Sequence, residues 1–381
     1  MTDFNQASIE FHRKYKGKLS VEPVAPITDR EMLSTVYTPG VAAPCLEIAR
    51  DPKLARELTI KGRTVAVVTD GTAVLGLGDI GPLASIPVME GKAALFKTFA
   101  GLDAFPIAID TKDTEEFIAT VKRIAPVFGG INLEDIAAPR CFEIERRLTE
   151  ELDIPVFHDD QHGTAIVVLA GLINAAKVTN RNLADAKIVF SGAGAAGTAV
   201  AKLLHAHGVK DITMIDSKGV IGASRTDLDE TKRELLSWTN PRGLSGQLEG
   251  AMKDADVFIG LSKGGIVSAD MVRTMAKDAI VFAMANPTPE IMPDQAHAAG
   301  AGVVASGRSD FPNQVNNLLA FPGVFKGLFA SGATKVTEKM KLAAASALAA
   351  MVETPTRDRI ILDALDRSAA DAVAEAVANA A

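Results

Sequence analysis

Cysteine, tryptophan and tyrosine are scarce in this chain: two, one and two among 381 residues. Two cysteines, Cys45 and Cys141, cannot build a disulfide framework in a chain of this length. Two free thiols in a reducing cytoplasm are expected. No block of five or six basic residues occurs and the formal net charge is -7, so no nucleic-acid partner is expected. The apolar stretch 164–175 (TAIVVLAGLINA) falls short of the roughly 20 residues a helix needs to cross a bilayer, so no membrane association is expected either. The opening run MTDFNQASIEFHRKYKGK lacks the apolar centre of a secretory signal. Repeats and low-complexity tracts are missing, apart from an Ala-rich end after 341 that is broken by Glu353, Pro355 and Arg357 and reads as helices. What is present is an ordinary globular mix, 48% hydrophobic and 23% charged, which argues against a disordered chain. The length suits two or three domains with a substantial core.

Short apolar runs alternate with helical patterns along the chain. Strands are expected at 62–68, 104–110, 129–136, 154–160, 187–191, 211–216, 255–261, 279–286 and 301–306. Helices are expected at 7–16, 83–99, 113–126, 139–151, 163–177, 230–238 and 268–277. Asp113 and Thr114 are cap candidates for the third of these. This alternation predicts an α/β fold whose parallel sheet is covered on both faces. The composition changes character near 150–160. The expected division is an N-terminal domain over 1–153 and a doubly wound, Rossmann-type domain over 154–381 that carries the C-terminal helices.

One Gly-rich turn stands in full dinucleotide-binding context. Gly192-Ala193-Gly194-Ala195-Ala196-Gly197 follows an apolar strand and opens a helix, and Asp216 ends the next strand 19 residues after Gly197. In such a turn Gly192 makes the tight bend, Gly194 lets the backbone approach a pyrophosphate, and Gly197 lets helix and sheet pack closely. The helix N-terminus favours the phosphate charge. Asp216 suits the ribose hydroxyl of NAD, whereas Ser217 and Lys218 suit the 2'-phosphate of NADP, and spacing leaves both open. Two acid pairs, Glu134-Asp135 and Asp159-Asp160, follow strands and so face the usual ligand crevice of such a sheet. Acids without a Cys/His cluster suit Mg2+ or Mn2+. His158 and His162 flank the second pair across a strand-to-helix junction and read as supporting residues. Lys92 lies on an apolar helix, where burial lowers a lysine pKa toward that of a usable base; a solvated surface lysine is the alternative. Tyr37 sits in a Pro-Gly turn, and Asn286, Asn316 and Asn317 sit at loop ends, where asparagines fix carboxylates, amides or turns.

These pieces, in this order, resemble the malic enzyme family, most closely its short bacterial form. The runs that carry the likeness are VYTPGVAAPC (36–45), VVTDGTAVLGLGDIGPLASIPVMEGKAALFK (67–97), INLEDIAAP (131–139), VFHDDQHGTA (156–165), FSGAGAAG (190–197), MIDSKG (214–219), MANPTPE (284–290) and SDFPNQVNNLLAFPG (309–323). They span roughly residues 10 to 330. The resemblance implies oxidative decarboxylation of L-malate to pyruvate and CO2 with reduction of NADP+ or NAD+, and a homodimer or larger assembly. It implies Lys92 as the base at the C2 hydroxyl and Tyr37 as the acid at C3 of enolpyruvate. It assigns the divalent metal to Glu134, Asp135 and Asp160, with Asp159 as their neighbour. Asn286 and Asn317 would hold the substrate carboxylates, with Asn286 also beside the nicotinamide. Gly192, Gly194, Ala195, Ala196, Gly197, Asp216, Ser217 and Lys218 would hold the rest of the cofactor, and the Ser-Lys pair leans to NADP. One departure stands out: Ala73 occupies a position where larger members carry an arginine that grips malate. Backbone amides near Gly76 and Gly78, or a basic residue of a second subunit, are the expected substitutes. That departure keeps another 2-hydroxy diacid, such as tartrate, as an alternative substrate. A non-catalytic cofactor sensor is a further alternative.

Overall fold

The computed structural model describes residues 4–74 and 76–381. Met1 to Asp3, at the head of the opening run, and Leu75, within the Gly-rich turn at 69–81, lie outside the described residues. Two parallel sheets organise the chain. The first contains β1 (Thr64–Thr69), β2 (Asp103–Ala108), β3 (Gly130–Leu133) and β4 (Val156–His158) in the order β2-β1-β3-β4. Every residue of β1 and β3 is buried, as expected of strands covered on both faces. The second contains β5 (Lys187–Ser191), β6 (Asp211–Asp216), β7 (Gly219–Val220), β8 (Val257–Gly260), β9 (Ile280–Ala283) and β10 (Val303–Ser306) in the order β10-β9-β8-β5-β6-β7. Only β7 is antiparallel among the described pairs. The chain leaves β5 for β6 on one side and β8 on the other. This reversal opens a crevice at the carboxyl end of β5, where the Gly-rich turn lies.

The elements follow the apolar periodicity, with instructive differences at the ends. Asp113 caps the helix Thr114–Ile124 by accepting from the Glu116 amide. The expected strand at 154–160 is only three residues long. Asp159 and Asp160 instead open the helix Asp159–Val178, where the helix dipole favours acids in the first turn. That helix is buried along most of its length, so its polar first turn is its exceptional part. β4 lies beyond residue 153 yet pairs with β3, and we place the division between the two sheets after His158.

The C-terminal helices do not stay with the second sheet. Phe321 and Phe325, on the helix Phe321–Ser331, pack edge-on against Phe96 with ring centroids 4.8 and 5.3 Å away. Phe325 also meets Phe157 of β4. The helix Glu338–Ala350 packs on Asp159–Val178, whose Asn174 donates to the Ala349 and Ile360 carbonyls. One continuous apolar core therefore joins β1, the long helix, β5 and the tail. It also takes in Phe157 of β4 and Ile280 and Phe282 of β9.

The N-terminal segment contrasts with this core. The helices Phe4–Tyr15, Arg30–Val36 and Ala42–Arg50 contain no buried residue, and none is buried from 4 to 63. Phe4, Val21, Val24, Tyr37 and Leu46 are all more than half exposed. Among the described residues no helix is long and apolar enough to cross a membrane. Cys45 and Cys141 are both free thiols, and burial pushes the Cys141 thiol up to about 12.

Candidate active site

Lys92 is the centre of a buried ionic cluster. Its helix, Gly81–Leu95, turns it inward, and the residue is 8% exposed. Its Nζ donates to Asp159 Oδ2 at 2.6 Å and lies 2.9 Å from Glu134 Oε1. The Phe321 ring lies under the ammonium at 4.4 Å. Asn317 Nδ2 donates to the same Asp159 oxygen at 2.7 Å, and Asn132 Nδ2 donates to Glu134 Oε2 at 2.9 Å. Strand ends at β3 and β4 and a helix from the first sheet thus converge on one point.

The protonation of this cluster corrects one sequence expectation. Burial alone does push the Lys92 ammonium down, but Asp159 and Glu134 outweigh it and the net shift is upward. A lysine paired with two carboxylates keeps its proton. Burial in turn pushes Asp159 up to about 7 and Asp160 up to about 6, and raises Glu134, in each case against the pull of Lys92. The cluster carries more negative charge than one lysine neutralises. A basic Lys92 requires a second positive charge.

The acids offer a place for one. Glu134, Asp135 and Asp160 each present an oxygen, and the three oxygens lie within 4.8 Å of one another. Hard carboxylate oxygens alone suit Mg2+ or Mn2+. Asp135 adopts a left-handed backbone, φ 53°, and its amide donates to Asp160 Oδ2 at 2.8 Å. Asp159 stands apart from this set: one oxygen takes Lys92 and Asn317, and the other is buried without a partner. A Cβ on Gly163 would fall 1.8 Å from that oxygen, so only glycine leaves Asp159 its position.

His158 and His162 lie near the cluster but face differently. His158 is fully buried at the end of β4, with Nδ1 3.8 Å from Asp160 Oδ2. Its amide donates to Glu145 Oε1, and the Glu145 carboxylate also takes Gln161 and His162. Burial holds both imidazoles below their ordinary range. Glu145 escaped sequence reading because nothing in the run RCFEIERRL distinguishes it from its solvated neighbours.

Across the crevice lies the dinucleotide fingerprint. A Cβ on Gly192 would meet the Leu261 carbonyl at 2.5 Å, and one on Gly197 would meet the Gly192 carbonyl at 2.1 Å. Gly194 faces open space, and Ala195 and Ala196 begin the helix Ala195–Ala206. A cavity of about 630 Å3 is lined by Gly192, Gly194, Asp216, Ser217, Lys232 and Lys263, among others. Asp216 is held below its ordinary range, at about 2, because Arg225 and Lys232 outweigh its burial. Arg225 grips it through two nitrogens at 3.0 and 3.2 Å, and Lys232 lies at 3.0 Å. Lys218 reaches the other way, to Asp227 at 2.7 Å, and does not line the cavity. Arg225 and Lys232 were missed in the sequence because they follow the strand by 9 and 16 residues, outside any local motif.

Asn286 lies in the loop after β9 and precedes a cis proline. Its carbonyl lies against Gly76 of the loop after β1, so the crevice closes between these two loops. Ala73 donates its amide to the Asp135 carbonyl at 3.0 Å, and the Gly78 amide donates to Val74 O at 3.2 Å. The Gly78 amide is therefore engaged within its own turn, which weakens it as a substitute for the missing guanidinium. Asn316 caps the turn before Asn317 by accepting from the Leu318 amide. Tyr37 does not join the cluster. It is 66% exposed, and no described hydrogen bond or ion pair links it to Lys92.

Two family models match: "Malic enzyme, N-terminal domain" over residues 16–149 and "Malic enzyme, NAD binding domain" over 161–381. A bifunctional malic/malolactic enzyme of Bacillus subtilis is 53% identical, covering 99% of this chain and 92% of that protein. An NADP-dependent malic enzyme of Halomonas elongata is 50% identical, covering 97% and 87%. The crystal structure of an NAD-dependent malic enzyme from Thermotoga maritima superposes with a TM-score of 0.95 at 49% identity, covering 97% of this chain and 98% of that one.

Proposed function

This chain belongs to the malic enzyme family, and from that premise we propose that it oxidatively decarboxylates L-malate to pyruvate and CO2 with reduction of NADP+ or NAD+. The observation that carries the reading is the convergence of Lys92, Glu134, Asp159 and the oxygen set of Asp135 and Asp160 on one side of a dinucleotide crevice. Neutral Lys92 would take the C2 hydroxyl proton, and a nicotinamide held in the crevice would supply the acceptor for the C2 hydride, giving oxaloacetate. Loss of CO2 leaves enolpyruvate, which Tyr37 protonates at C3. Asp159, fixed by Asn317, orients Lys92 through its 2.6 Å bond. Glu134, Asp135 and Asp160 would hold a divalent cation. When bound, that cation draws carboxylate charge away from Lys92, polarises the C2 oxygen and stabilises the enolate. Two free thiols and the absence of a membrane-length helix among the described residues suit a cytoplasmic enzyme. Reduced nicotinamide should appear with malate, Mn2+ and NADP+. A substrate panel in which tartrate outpaces malate would overturn the substrate.

The exposed N-terminal segment bears on the acid. Tyr37 lies within 60 residues that bury nothing in their own chain yet present many apolar side chains. A second copy covers that surface and delivers Tyr37 to the partner's Lys92 cluster, which makes the enzyme at least a homodimer. Mixing inactive Tyr37→Phe and Lys92→Ala proteins is then expected to restore about one quarter of wild-type activity, because half the dimers are mixed and each has one intact site. Failure to complement, with mixed dimers demonstrated by mass spectrometry, means that Tyr37 serves its own chain.

The cofactor is NADP on this reading. Ser217 and Lys218 follow Asp216, and Arg225 and Lys232 add two further cations around the same ribose position. Lys232→Ala is expected to raise the KM for NADP+ roughly tenfold to a hundredfold more than that for NAD+, the loss of one charge-assisted contact of about 1.5–3 kcal/mol. Lys218→Ala is expected to do less, because its ammonium is committed to Asp227. An unchanged NADP/NAD ratio in both variants would assign the preference elsewhere.

A further inference from the structure

Asp135 is the least ordinary member of the oxygen set, because its φ of 53° puts a non-glycine residue in the left-handed region. Both of its flanks are held. Its amide donates to Asp160 Oδ2 at 2.8 Å, and its carbonyl accepts from the Ala73 amide at 3.0 Å. Two residues on, the Ala137 amide donates to Thr72 Oγ1 at 2.9 Å. The Thr72 hydroxyl in turn donates to Asp70 Oδ1 at 2.6 Å, and the Thr72 amide donates to the same oxygen at 3.1 Å. The other Asp70 oxygen accepts from Arg140 Nη1 at 2.8 Å. The chain of bonds thus runs from Arg140 through Asp70 and Thr72 to the C-terminal side of Asp135, while Asp160 holds its amide.

This strap ties two loops far apart in sequence, the one after β1 and the one after β3. Asp70 is 1% exposed, and both its oxygens are engaged, so it is not itself free to take a cation. Gly71 admits the sharp return of the first loop: its φ is 69°, and a Cβ there would lie 2.2 Å from the Gly81 carbonyl. Thr72 is the hinge of the arrangement, because one hydroxyl accepts from Ala137 and donates to Asp70 at once. A methyl group in its place would leave the Ala137 amide and Asp70 Oδ1 each short of a partner.

We propose that Thr72, Asp70 and Arg140 are positioning residues that hold Asp135 in the conformation needed to bind the divalent cation, and so set the metal affinity of the site. The inference rests on the metal reading given above. It predicts an effect on metal binding separate from cofactor binding, since none of Asp70, Thr72 and Arg140 lines the dinucleotide cavity. Outer partners of metal ligands typically contribute about tenfold to a hundredfold to affinity or activity.

The test is Mn2+ binding to the full-length protein, followed by the paramagnetic resonance of free Mn2+ without substrate. NADP+ affinity is measured on the same samples. Thr72→Val, nearly isosteric, is expected to weaken Mn2+ binding about tenfold to a hundredfold. Thr72→Ser, which keeps the hydroxyl, is expected to restore it, and NADP+ affinity should stay at the wild-type value in both. Arg140→Gln, which leaves Asp70 without its cation, is expected to weaken Mn2+ in the same direction and carries the test should Thr72→Val fail to fold. Wild-type Mn2+ affinity in folded Thr72→Val or Arg140→Gln overturns the strap while leaving the metal reading intact. Absence of Mn2+ binding to the wild-type protein overturns the metal reading and the strap with it. Parallel losses of Mn2+ and NADP+ affinity would mark a general structural role and overturn the inference as well.

Discussion

Lys92→Ala is expected to lose malate oxidation and oxaloacetate reduction together, by roughly a hundredfold to ten-thousandfold, the usual cost of removing a positioned acid or base. Both reactions pass through the C2 oxygen, and Lys92 is buried within 3 Å of two carboxylates that orient it. Tyr37→Phe should behave differently. Reduction of added oxaloacetate by NADPH never visits C3, so that variant should keep much of it while losing pyruvate formation from malate. The comparison separates the two steps without any assumption about which is slower. Circular dichroism and NADP+ binding establish that both variants are folded. Equal loss of oxaloacetate reduction in the two variants would assign Tyr37 to the C2 step.

Metal removal should abolish turnover altogether. Excess EDTA leaves Lys92 paired with Glu134 and Asp159, which raise its pKa and hold it as an ammonium unable to accept a proton. Mn2+ or Mg2+ is expected to restore activity. Full activity in protein shown to be metal-free by elemental analysis would overturn the assignment of Glu134, Asp135 and Asp160. The same cluster sets the pH dependence of binding. Asp160, a member of the oxygen set, is raised to about 6, and Asp159, the partner of Lys92, to about 7, so both take up protons as the pH falls through those values. A cation must then displace protons, and Mn2+ affinity should fall by up to about tenfold per pH unit for each proton displaced. Calorimetric titrations at several pH values test this, and a flat profile would mean that neither acid is linked to binding.

Much of the fold was legible because its determinants are local. Apolar runs of strand length located the principal parallel strands within a few residues, since all but β2 are mostly buried by the helices beside them in sequence. The dinucleotide turn was legible for the same reason: Gly192 and Gly197 answer to contacts within one strand-turn-helix unit and the neighbouring strand end. The acid pairs were legible as residues at strand ends, although Asp159 and Asp160 open a helix instead of finishing a strand. The family likeness added roles to these positions, which spacing alone left open.

Long-range packing decided the rest. The sequence by itself determined that this is an α/β chain with parallel strands, a dinucleotide turn and acids beside a crevice, because hydrophobic period and turn chemistry act over a few residues. Only the tertiary structure set Lys92 2.6 Å from Asp159, 67 residues away, and so reversed the direction of its pKa. Only the tertiary structure added β4 to the first sheet, laid Phe321 under Lys92, committed Lys218 to Asp227 and left Tyr37 outside its own chain's cluster. Ionic direction and burial depend on which distant groups share a low-dielectric interior, and no local pattern encodes that company.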